Sequence, residues 1–74
     1  MNSSVLSGLE VIKILKRAGF IAVRQKGSNV RLEKVGDDGI IKITVPLNDE
    51  LKKGTLMRII KDSGLTQEEF ERYR

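Results

Sequence analysis

Hydrophobic positions along this chain change their period several times, and each change marks an element. Leu9, Val11, Ile12 and Leu15 recur at helical spacing, with Lys13, Lys16 and Arg17 on or beside the opposite face. Ser7 and Glu10 stand at the spacing of a capping box, in which hydroxyl and carboxylate each satisfy a backbone N–H of the first turn. A helix is therefore expected over about residues 8–18, with Gly19 as its left-handed stop. From Phe20 to Lys26 the period becomes two, placing Ile21, Val23 and Gln25 on one side and Ala22, Arg24 and Lys26 on the other. That is the pattern of a half-buried strand. Gly27-Ser28 follows as a two-residue hairpin loop, with glycine first as a type II′ turn requires.

On the second strand Val30 and Leu32 face the core while Asn29, Arg31 and Glu33 face outward. The alternation fails at Lys34-Val35, so the strand is expected to end there, before the Gly36-Asp37-Asp38-Gly39 turn. Asp37-Asp38 between two glycines is read as turn chemistry rather than as an acid–base or metal-binding pair. A third strand, about 40–45, turns Ile41, Ile43 and Val45 inward and Lys42 and Thr44 outward, and Pro46 stops it. Past Asn48-Asp49-Glu50, the spacing of Leu56, Ile59 and Ile60 predicts a second helix up to Gly64. Thr66 and Glu69 repeat the capping-box spacing, so a short last helix carries Phe70 and Tyr73. The order αβββα(α) with short connections predicts a two-layer α+β fold over one domain, residues 1–74. Its three-stranded antiparallel sheet has helices on the apolar face and leaves the other face to water.

Charge gives that open face a meaning. Its outward positions are Arg24, Lys26, Asn29, Arg31, Lys42 and Thr44, with Glu33 as the anion, in a chain of net charge +4 and pI about 9.7. Such a surface suits a polyanion. Lys52-Lys53 ahead of Gly54-Thr55 adds ammonium groups to the N–H groups of a helix start, a second candidate anion site. Lys13, Lys16 and Arg17 read as an ordinary solvated helix face. Phe20, Phe70 and Tyr73 are too few for a base-stacking platform, so phosphate and shape contacts are expected to dominate. Without cysteine there is no disulfide framework, thiolate nucleophile or zinc-finger ligand set, and the cytoplasm is the expected compartment. Met1-Asn2-Ser3-Ser4 lacks the basic-then-apolar pattern of a signal peptide, and no apolar run approaches the roughly 18 residues of a membrane span. No metal or small-molecule cofactor is expected.

Four short motifs fall in one order: Ala18-Gly19-Phe20 at a helix end, Gly27-Ser28-Asn29 at a turn, Val45-Pro46 at a strand end and Lys53-Gly54-Thr55-Leu56 at a helix start. In this the chain resembles, over nearly its whole length, the HicA (YcfA-like) messenger-RNA interferase toxins. The resemblance implies a double-stranded-RNA-binding-domain-like fold, metal-independent endoribonuclease activity on mRNA and neutralisation by a HicB-like antitoxin. It also implies a catalytic position at Asn29, next to Gly27 and Ser28; Ser28 and Lys26 frame it, and the open face and helix start are expected to hold RNA through Arg24, Lys26, Arg31 and Lys42 and through Lys52, Lys53 and Thr55. The family's catalytic histidine aligns with Asn29, and a histidine common after the Val-Pro pair aligns with Asn48 or nearby. This chain has no histidine at all. Either natural loss of the nuclease or deliberate detoxification leaves asparagine there, and the absence of both histidines favours the natural course.

A carboxamide donates and accepts hydrogen bonds but exchanges no proton near neutral pH, so the chain is expected to bind RNA better than it cuts. Two other readings stand beside this one. The basic face serves an acidic protein partner with RNA irrelevant, or Glu33 or a lysine replaces the missing base.

Overall fold

The computed structural model describes residues 5–74. Met1–Ser4, on which the expectation of no leader rests, lie outside the described residues. The first capping box closes as expected: the Glu10 N–H donates to Ser7 Oγ at 3.1 Å and the Ser7 N–H to Glu10 Oε1 at 2.8 Å. These bonds start α1 (Gly8–Arg17). Three strands follow, β1 (Ile21–Lys26), β2 (Asn29–Gly36) and β3 (Gly39–Pro46), paired antiparallel in the order β1-β2-β3. At the β1–β2 turn Gly27 has φ +60°, and no non-glycine residue among the described residues has a positive φ, the signs of a type II′ turn. Then come α2 (Lys53–Ser63) and α3 (Gln67–Arg72), the latter opened by the second capping box, Thr66 with Glu69.

The helices pack chiefly on β3 and bury one face of the sheet. Val30, Leu32, Ile43 and Val45 from the sheet meet Val11, Leu15, Ile59 and Phe70 in the core, and removing these side chains from water is the main force holding the layers together. Two backbone bonds then fix the end of the sheet nearest the β1–β2 turn. The Leu47 N–H donates to the Ser28 carbonyl at 2.6 Å, and the Gly8 N–H to the Asn48 carbonyl at 2.9 Å. The start of α1 approaches the exit of β3 so closely that a Cβ on Gly8 would lie 2.0 Å from the Pro46 carbonyl oxygen.

Four local expectations need correction. In β1, Ala22 pairs with Leu32 and Arg24 with Arg31, which leaves Val23 as an extra residue in a β-bulge. Ile21 therefore joins Arg24 and Lys26 on the open face, while Ala22 and Gln25 turn to the helix side. All six β1 residues are exposed, because this outermost strand lies beyond most of the helical cover. β2 does not end at Lys34-Val35 but runs on to Gly36. Lys34 sits on its core side without cost to the alternation: its stem covers apolar surface, its Nζ donates to the Ala18 carbonyl at 2.8 Å, and the ammonium lies 5.6 Å from the Phe20 ring centroid. Leu9 is 54% exposed, and Ile14 enters the core in its place. Tyr73 is the exposed C-cap of α3, so only Phe70 of that helix is buried.

Candidate nucleic-acid interface

The β1–β2 turn and the register it sets assemble the open face in rows. Lys26, Asn29 and Pro46 form the first row, Arg24, Arg31 and Thr44 the second, Ile21, Glu33 and Lys42 the third, and Val35 with Ile40 the last. Arg24, Lys26, Gly27, Asn29, Arg31 and Thr44 line one shallow concavity. Asn29 opens β2, and its exposed carboxamide makes no hydrogen bond among the described residues. Ser28 lies beside it in the turn, its carbonyl held by Leu47. Gln25 spans the same turn, its Nε2 donating to the Gly27 carbonyl at 3.0 Å.

The cations of this face differ in their commitments. Arg24, Lys26 and Lys42 are exposed and form no ion pair among the described residues. Arg31 is half-buried: its Nε donates weakly to Thr44 Oγ1 at 3.4 Å, and its Nη1 stands 4.0 Å from Glu33 Oε2. A guanidinium fixed in this way presents its remaining N–H groups in a defined direction, whereas the lysines act as mobile point charges. Glu33 lies four residues along β2 from Asn29, about 13 Å at strand rise, with Arg31 between them. At that separation Glu33 is set against Arg31 rather than beside Asn29.

Lys52, Lys53 and Thr55 are not brought into this concavity. Lys52 is the N-cap of α2 with no side-chain capping bond, Lys53 is its first residue, and both line a separate groove with Leu6, Leu56, Met57 and Phe70. Thr55 is half-buried in the first turn. Local spacing correctly showed a helix start there but carried no information on where it would lie relative to the sheet. Alternation puts Thr44 on the open face, and the structure adds its bond to Arg31. Counting six residues outward from Asp37 and from Asp38 pairs the two, a spacing the sequence already carries. Among the described residues, no three His, Cys, Asp or Glu side chains gather where they would hold a metal ion, and no helix is long and apolar enough to cross a membrane.

A family model described as the HicA toxin of bacterial toxin-antitoxin systems matches residues 8–65, from the start of α1 to just beyond α2. The chain belongs to the HicA toxin family. No curated protein is similar enough to count as a relative. HicA membership makes this a toxin of a toxin–antitoxin system and implies a cognate antitoxin as its partner. The matched segment contains the turn, Asn29 and every cation of the concavity. It also contains Lys52 and Lys53 but stops short of α3.

Proposed function

We propose that this HicA-family chain binds messenger RNA on its open sheet face, centred on Asn29, and cleaves it poorly because a carboxamide occupies the position of the family's catalytic histidine. The observation that carries this reading is the gathering of uncommitted cations around Asn29 in one concavity. Lys26 and Arg24 take phosphates as mobile charges, Arg31 offers a directed fork, and Asn29 holds a ribose hydroxyl or phosphate oxygen by hydrogen bonds. Removal of the 2′-hydroxyl proton is the step left without a base. If general-base catalysis is worth roughly 10²–10⁴-fold, the chain retains binding and forfeits most of that factor. A HicB-type antitoxin neutralises the toxin by covering the same face.

Titrating labelled poly(U) RNA at several salt concentrations tests the reading. Two to four phosphate contacts predict a slope of log affinity on log salt of about −1.5 to −3, with little sequence preference. Lys26→Ala and Arg31→Ala each lower both affinity and slope, while Lys16→Ala on the solvated face of α1 changes neither appreciably. Equal losses at all three positions would reduce the site to diffuse charge attraction and remove the proposal.

A further inference from the structure

The last rows of the open face are chemically unlike the first. Ile21, Val23, Val35 and Ile40 are exposed by 67%, 50%, 79% and 57%, and together with Gly19, Glu33 and Lys34 they line a second shallow concavity. Half of the large exposed hydrophobic side chains in the described residues are thus collected at one end of one sheet face. Burial in this fold does not account for them, since none of the described elements covers that face. The bulge at Val23 contributes directly: without it Ile21 would point to the helix side, and with it Ile21 stands in the row of Glu33 and Lys42, adjoining Val35 and Ile40. RNA offers little to bare aliphatic side chains. A protein surface does.

We infer that this apolar end is the anchor for the cognate antitoxin, which lies across the whole open face with aliphatic or aromatic side chains on Ile21, Val23, Val35 and Ile40 and carboxylates on Arg24, Lys26 and Lys42. The inference rests on the reading that the antitoxin covers the Asn29 face, and it adds how that partner is told apart from RNA. Size decides against a second copy of this chain as the occupant. Four partly exposed aliphatic side chains supply less than the ~800 Å² per partner that a stable interface buries, so the interface must continue over the neighbouring rows. In a self-dimer that continuation brings cations against cations. An acidic partner turns the same rows into attraction and speeds encounter. RNA and antitoxin thereby share the basic rows, and only the antitoxin uses the apolar ones.

The experiment measures two affinities for each variant, one for the cognate antitoxin purified from its complex and one for poly(U). Val35→Thr/Ile40→Thr keeps two β-branched residues in an exposed pair, so the sheet is retained while the apolar surface is lost. Ile21→Thr is the second variant, on a different strand, should the first destabilise the hairpin. Antitoxin affinity is expected to fall about tenfold or more in each, with poly(U) affinity and its salt slope unchanged. Lys26→Ala is expected to weaken both. Unchanged antitoxin binding, or equal losses for antitoxin and RNA, would overturn the inference. So would concentration-dependent sedimentation of the wild-type chain alone that Val35→Thr/Ile40→Thr abolishes, because a second copy would then be the occupant. Failure of the RNA reading shows separately, as wild-type protein that ignores poly(U) while the antitoxin measurements still report on the patch.

Discussion

Asn29 and histidine both carry a hydrogen-bonding atom at the δ position, but only histidine can take a proton near neutral pH, so Asn29→His tests that property. Because Asn29 is exposed and makes no side-chain bond among the described residues, the ring enters without disturbing a neighbour. Cleavage of a long RNA in chelator is expected to rise at least about 100-fold, with the rate falling in acid as the imidazole protonates near pH 6.5. No gain would show that the family's chemistry needs more than the ring. Two glycines give a second contrast. Gly8→Ala drives a Cβ into the Pro46 carbonyl, whereas Gly27→Ala meets open space and is strained only by φ +60°. Urea midpoints are expected to show a loss toward the upper end of about 1–3 kcal/mol for Gly8 and nearer 1 kcal/mol for Gly27. The reverse order would mean that α1 shifts away from β3 easily.

The elements carry the pH dependence. Glu10 is held below the usual glutamate range chiefly by the Ser7 backbone N–H and then by the Ser7 hydroxyl, and Glu69 is lowered first by the Thr66 backbone N–H. A carboxyl lowered on folding stabilises the fold above its unfolded pKa, about 4.3, and that contribution disappears as pH falls through the lower folded value. The stability difference between wild type and Glu10→Gln/Glu69→Gln is therefore expected to shrink in denaturant titrations below about pH 4, and a difference constant with pH would show that the caps act without their charge. These caps were legible in the sequence because they are encoded within three residues, as were both two-residue turns. From Gly27-Ser28, counting outward in either direction put Arg24, Lys26, Asn29 and Arg31 on one face. The bulge was not legible, since Ile21-Ala22-Val23-Arg24 reads as simple alternation and only the pairing with β2 exposes the extra residue. Lys34 misled for a related reason: a charge among core positions looks like a strand end until the Ala18 carbonyl that receives it is in place.

At the scale of the whole molecule, one sheet face holds both the candidate RNA site and the inferred antitoxin anchor. RNA and antitoxin are thus expected to exclude one another. At salt low enough for poly(U) to bind the free chain, adding it to a labelled toxin–antitoxin complex should release antitoxin, and a stable ternary complex would separate the two surfaces. The same architecture leaves β1 as an outermost strand, its far edge unpaired among the described residues and all six of its residues exposed, a ready template on which further molecules could stack into ribbons. The extra residue at Val23 interrupts the regular spacing of donors and acceptors along that edge, and Arg24 and Lys26 set like charges against any identical strand that approaches. An irregularity that aims Ile21 outward thus also works against edge-to-edge stacking of a small chain.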